Sequence, residues 1–303
     1  MELSPVEQVT RELKLRAYSV KTIKAYSSCL RGYIDYCGGD IRRFNPEKVR
    51  SFFMEKHTAG LAPQTINLYL NAIKFYYRNI IEYKGPIGIR FAKRSRRLPV
   101  VLSRDEIKKM IGLTKYGQHK LLLALSYGAG LRVSEVIKLK YSDIDFPSKL
   151  ILVREGKGKK DRLVLLPQNL IAYIQQHTHK GSYLFMGATW EEHLCARSAQ
   201  YIFKNAAKRA GIRDDASFHS LRHSFATHML EDGVDIRFIQ DLMGHRDIRT
   251  TQIYTSVMKS SLVRITSPLD RIRIADWRFH AHSVLNNQYS WWAGWDSNPR
   301  PTG

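Results

Sequence analysis

The chain is poor in cysteine, with three in 303 residues at Cys29, Cys37 and Cys195. An odd set without metal-ligand spacing excludes a disulfide framework and reads as free thiols in a reducing cytoplasm. No apolar run reaches the length of about 18 residues that a membrane-spanning helix needs. The opening stretch MELSPVEQVTREL lacks a basic segment followed by an apolar one, so no signal peptide is expected. Acid is also scarce. Lys and Arg total 49 against 27 Asp and Glu, a formal charge of +22. A soluble chain this basic points to a polyanionic partner, nucleic acid ahead of an acidic lipid surface. Charge alone does not separate DNA from RNA.

What is present suffices for two domains with their own cores. Residues 1–83 read as four short helices. The first covers Pro5 to Arg16. The second has a Ser19 cap, an apolar stripe of Ile23, Tyr26, Leu30, Tyr33 and Ile34, and a stop at Gly38. The third opens on Asn45 and Pro46 and closes at Gly60, and the fourth spans APQTINLYLNAIKFYYRNII. Lys21, Lys24, Arg31, Lys48, Arg50, Lys74 and Arg78 make this bundle basic. Residues 84–99, within YKGPIGIRFAKRSRRLP, read as a basic linker. Residues 100–266 form a second domain, mostly helical. It opens with a capping box at Ser103 and Glu106 and contains a β-hairpin in KLILVREGKGKKDRLVLLP. Two later helices stop at Gly233 and Gly244.

Five short pieces of this second domain carry chemistry. GAGLRVSE puts Arg132 at a helix start. GKGKKDR puts Lys157 in the hairpin turn. HSLRH puts His219 and Arg222 on one helical face, LMGH puts His245 past a helix stop, and Tyr254 follows nine residues later. Each alone has an ordinary reading: a salt-bridge arginine, a solvated hairpin tip, a capping histidine, a packing tyrosine. GKGKKDR lacks phosphate-loop spacing. A metal site built from His219, His223, His228 and His245 has no carboxylate or cysteine to complete it. Together the residues match the needs of attack on a phosphodiester. Two arginines clamp the phosphorus and stabilise its growing charge. Histidine and lysine suit the two proton transfers. A tyrosine can form the covalent intermediate that conserves the bond energy. With a guanidinium pair in place, neither metal nor cofactor is required.

In order and spacing, GLRVSE, GKGKKDR, HSLRHSFATHML, LMGH and TTQIYT resemble the signature boxes of tyrosine recombinases, the phage integrase family, most closely its Xer-type members. The resemblance covers roughly residues 5 to 260 and fills all six principal positions. It implies a mainly α fold with a small β-sheet: a helical, SAM-like core-binding domain and a catalytic domain that together form a C-shaped clamp on duplex DNA. It also implies roles. Tyr254 is the nucleophile and forms a 3′-phosphotyrosyl link. Arg132 and Arg222 hold the phosphate, and Glu135 supports that pair. Lys157 is the general acid, His219 the base toward Tyr254, and His245 orients the phosphate. The implied assembly is a homotetramer on two specific DNA sites that passes through a Holliday junction, in the cytoplasm and with no membrane partner. Integration or excision of a mobile element is the preferred reading. Xer-type dimer resolution, a type IB-like topoisomerase and a non-catalytic DNA-binding accessory factor stand as alternatives.

From residue 267 to 303 the chain changes character. It loses amphipathic period and carries four of the five tryptophans. The family resemblance suggests that Val257 to Ile265 dock on a neighbouring protomer, and residues 267–303 are expected to pack poorly. Their codons offer a reason. Asp296 to Pro299 can be encoded so that the opposite strand reads as the T-arm of a transfer RNA. The Trp291 codon is the complement of CCA, and a five-base stem that begins in the Gly294 codon and runs through Trp295 into Asp296 can pair with the returning strand in Asn298, Pro299 and Arg300: G with Y, G with C, G with C, and two positions left free by degeneracy. The gene's end would then overlap a tRNA-derived attachment site.

Overall fold

The computed structural model describes residues 3–89, 98–154, 161–177, 183–187, 191–244 and 265–272. The chain divides into two compact units, Met1–Arg97 and Leu98–Gly303.

The first unit is helical: α1 (Pro5–Leu15), α2 (Val20–Tyr36), α3 (Pro46–Thr58) and α4 (Pro63–Asn79). Local chemistry sets the starts. Ser4 and Glu7 form a reciprocal capping box on α1. Ser19 accepts from the Thr22 N–H and Asn45 from the Lys48 N–H, while prolines occupy the first positions of α3 and α4. The α2 stripe turns inward, with Leu30 and Tyr33 buried and Ile23, Tyr26 and Ile34 packed at its edge. Around them lie Phe52, Leu70, Ile73, Tyr76 and Tyr77, with edge-to-face contacts such as Tyr33 on Phe52. Lys21, Lys24, Arg31, Lys48, Arg50 and Arg78 remain exposed.

The second unit is built around α6 (Gly117–Gly128), which is leucine-rich and buried from Lys120 to its end. Helices α5 (Arg104–Gly112), α9 (Ala196–Ala210) and α10 (Phe218–Glu231) pack around it. A helix that is buried all round belongs at a core's centre. The remaining helices are α7 (Val133–Val136), α8 (Gln168–His177) and α11 (Ile236–Met243). The hairpin forms as the sequence predicts: β2 (Leu150–Val153) pairs antiparallel with β3 (Arg162–Leu165), so that Val153 lies opposite Arg162. A two-residue strand, β1 (Ile144–Asp145), adds to β2 and completes a sheet of order β1-β2-β3. No described helix is long and apolar enough to cross a membrane.

One expectation needs correction. Packing does not end at residue 266. Ser267, Leu269 and Ile272 are buried, Leu269 completely. The Ser267 hydroxyl donates to the Gly128 carbonyl, and the Asp270 carboxylate accepts from the N–H groups of Gln168 and Asn169, capping α8. Arg271 pairs with Asp232 beyond the end of α10. Two apolar side chains and one acidic cap in six residues are enough to dock this segment, although it has no helical period for a sequence reading to detect. Residues 273–303, and Val257 to Arg264 of the suggested docking element, lie outside the described residues.

Candidate active site

The site is assembled where three turns meet. The first follows α6. Gly130 has φ +61, and a Cβ there would lie 2.5 Å from the Phe225 ring. Only glycine fits both conditions. The turn it makes delivers Arg132 as the N-cap of α7, and Glu135 follows at the third helical position. The second is the hairpin, through Arg162 at the start of β3. The third is the end of α11, where Gly244 adopts φ +59 and leaves the last carbonyls facing the arginines.

Glu135 is the hub. Its Oε1 accepts from Arg132 Nη1 at 2.7 Å and Arg162 Nη1 at 2.9 Å. Its Oε2 accepts from the Arg132 backbone N–H at 2.8 Å and Arg162 Nη2 at 2.7 Å. Arg222 Nη1 stands 3.8 Å away. Burial opposes the charge on Glu135, but Arg162 and then Arg132 outweigh it and hold the carboxyl down at about 2. Glu135 is therefore ionised throughout the working pH range.

Arg222, on α10, is almost wholly buried, with its side chain 2% exposed. A buried guanidinium needs partners. Arg222 donates through Nη1 to the Gly130 carbonyl at 2.5 Å and through Nη2 to the Met243 carbonyl. Burial, followed by the neighbouring Arg132 charge, depresses its pKa to about 9, which still leaves it protonated at neutral pH. Arg132 Nη2 donates to the same Met243 carbonyl at 3.2 Å, and Arg162 Nε to the Leu242 carbonyl at 2.9 Å. The negative end of α11 thus receives three arginines, a favourable pairing of cations with a helix C-terminus.

His219 lies one turn before Arg222 on α10 and is exposed. Its ring meets His223 edge-on at 4.5 Å. Burial of part of the ring, then His223, Arg222 and Arg132, lower its pKa below the ordinary histidine value, with Glu135 opposing. It is neutral, and able to accept a proton, at pH 7. His223 is lowered in the same way by burial and Arg222. His228 is spoken for structurally, since its Nδ1 bonds the Tyr127 hydroxyl at 2.8 Å in the core.

Of the seven residues singled out by sequence, Arg132, Glu135, His219 and Arg222 meet here. Lys157, His245 and Tyr254 lie outside the described residues. The flanking positions are described: β2 ends at Val153 and β3 begins at Arg162 on either side of Lys157, and Gly244 directly precedes His245. Arg162 was given no role by sequence reasoning, although it closes the GKGKKDR box. Three guanidiniums around one carboxylate leave a surplus of two formal positive charges. Such a surplus, with forked donors, favours an anion of phosphate type.

Comparison with known proteins gives the family. The model of the phage integrase family matches residues 100–261, and that of the phage integrase N-terminal SAM-like domain matches residues 6–86. Tyrosine recombinase XerA of Thermococcus onnurineus (strain NA1) is 39% identical over 261 residues, 83% of this chain and 90% of that protein. An integrase/recombinase of Escherichia coli is 32% identical over 320 residues, covering 88% of this chain and 93% of its own length. Among solved structures, a lambda integrase dimer bound to a COC′ core site superposes with TM-score 0.66 at 18% identity, over 80% of this chain and 94% of that one. The Tn1549 transposon integrase in complex with circular intermediate DNA gives TM-score 0.65 at 17% identity, over 89% and 98%. These structural likenesses speak to the fold. With both domain models matched in order and relatives aligned along most of its length, the chain belongs to the phage integrase family and is a tyrosine recombinase.

Proposed function

We propose that this recombinase cuts and rejoins duplex DNA through Tyr254 and acts on a mobile element's attachment site at a tRNA gene. The Tyr254 oxygen attacks the phosphorus, and the bond from phosphorus to the 5′ oxygen breaks. Lys157 gives that oxygen its proton, and neutral His219 takes the proton of the tyrosine hydroxyl. Arg132 and Arg222 hold the non-bridging oxygens, and His245 orients the phosphate. A 5′-hydroxyl from the second duplex then attacks the phosphotyrosyl link, and four protomers on two sites carry the exchange through a Holliday junction. The observation that carries this reading is the side-by-side placement of Arg132 and Arg222. They share the Met243 carbonyl and one carboxylate, so two permanent cations stand side by side. Such a pre-set pair stabilises charge as it develops on the phosphate. DNA as partner is supported by the surplus charge and by the DNA-bound lambda and Tn1549 integrases.

The tRNA-site reading rests on what the genetic code allows for Trp291 to Arg300. Dimer resolution is the second reading, favoured by the 39% identity to a XerA recombinase. A recombination assay separates them. One plasmid carries the 3′ end of this gene with its flanking DNA, and the other a chromosomal dimer-resolution site. Exchange on the first alone is expected. Exchange on the second alone, or a gene end with no antisense tRNA sequence, refutes the mobile-element reading.

A further inference from the structure

Arg162 has no part in the chemistry outlined above, yet it uses all three of its nitrogens inside the site. Nη1 and Nη2 form a two-pronged pair with Glu135, and Nε donates to the Leu242 carbonyl. Its side chain is 10% exposed. A guanidinium buried to this degree and bound at both ends is not a solvated surface charge.

Its place in the chain gives this arrangement meaning. Arg162 is the residue on which β3 begins, five positions after Lys157. It grips Glu135, which holds Arg132 by both backbone and side chain. It also grips the end of α11, two residues before Gly244. A Cβ at Gly244 would lie 3.0 Å from Arg162 Cδ, so Arg162 packs directly against the end of α11. One side chain therefore ties together the hairpin of Lys157, the turn of Arg132 and the helix end that precedes His245.

We infer that Arg162 is a positioning residue of strand cleavage. It fixes the Glu135 carboxylate, through it the Arg132 guanidinium, and sets the α11 terminus in register with the hairpin. The inference rests on the proposed roles of Arg132 and Tyr254. A lysine could not replace the function fully, because one ammonium cannot make a planar two-pronged pair and also reach Leu242.

The test uses the full chain with Arg162→Lys, Arg162→Met, Glu135→Gln and the double variant Arg162→Met/Glu135→Gln. The two supercoiled plasmids described above serve as substrate. SDS-stable protein–DNA adducts are timed, and plasmid retention and melting are measured in parallel. Arg162→Met should slow adduct formation about tenfold to a hundredfold, the scale of a misplaced reacting group, with retention unchanged. Arg162→Lys should recover part of the rate. In the Glu135→Gln background the loss of Arg162 should add little, since the two act as one unit.

A wild-type rate in Arg162→Met, or the same fold loss in both backgrounds, overturns the inference. If Arg162→Met fails to fold, Arg162→Lys decides: a slowed rate at wild-type melting supports positioning, and a full rate refutes it. A wild-type chain that leaves no adduct on either plasmid defeats the proposed function itself, a result distinct from any failure of Arg162.

Discussion

Two glycines separated by one residue offer a matched perturbation of fold and site. Gly130 combines φ +61 with a Cβ position 2.5 Å from Phe225, and its carbonyl accepts from Arg222. Gly128 has ordinary backbone, but a Cβ there would meet Pro167 at 2.5 Å and Leu269 at 2.9 Å. Overpacking costs about 1–3 kcal/mol at either position. Alanine at Gly130 adds about 1–2 kcal/mol for the left-handed backbone. Gly130→Ala should therefore lose about 2–5 kcal/mol and Gly128→Ala about 1–3 kcal/mol, which in a unit of this size corresponds to about 2–4 °C of Tm per kcal/mol. The site responds differently. Moving the Gly130 carbonyl moves Arg222, and a shift of about 1 Å in a catalytic group can cost about a hundredfold in rate. The Gly128 carbonyl accepts from Ser267 instead. Adduct formation is timed at a temperature where both variants are folded by circular dichroism. Gly130→Ala should be slowed about tenfold to a hundredfold, and Gly128→Ala should keep nearly wild-type rate. Equal rates in the two variants would refute the claim that the Gly130 turn builds the site.

Other outcomes follow from the same structure. Leu269→Ala should lose about 2–5 kcal/mol as a fully buried leucine; a melt unchanged by Leu269→Ala contradicts the docking of residues 267–272. The acid limb of adduct formation should be centred below the ordinary histidine value of 6.5, because partial burial, His223, Arg222 and Arg132 lower the His219 pKa; an acid limb centred above 6.5 counts against His219 as the base. Plasmid affinity should decline linearly in log K against log salt, by about 0.9 in slope for each phosphate neutralised, and a flat dependence would rule out phosphate contacts as the main source of affinity.

Much of the fold was legible because local signals agree with the tertiary structure. Ser19, Asn45, Ser103 and the glycines at 38, 60, 233 and 244 mark helix ends by chemistry that acts within a few residues. The hairpin showed itself as two β runs around a Gly/Lys turn. Arg132, Glu135, His219 and Arg222 were legible through their boxes, and the structure brings these four together. Arg162 escaped because its partners, Glu135 and Leu242, are 27 and 80 positions away, and an arginine in a basic box looks like any other. The tail segment escaped for a related reason. Leu269 and Asp270 find partners at Gly128 and Gln168, more than a hundred positions back, and six residues cannot carry a period.

The most direct test of the account is to locate the covalent bond. Wild-type protein and Tyr254→Phe are incubated with the attachment-site plasmid, denatured in SDS, digested with nuclease and protease, and analysed by mass spectrometry. A nucleotide attached to Tyr254 in the wild type, with no adduct in Tyr254→Phe and plasmid retention intact, is the expected result. An adduct on another residue, or undiminished adduct in Tyr254→Phe, would contradict it.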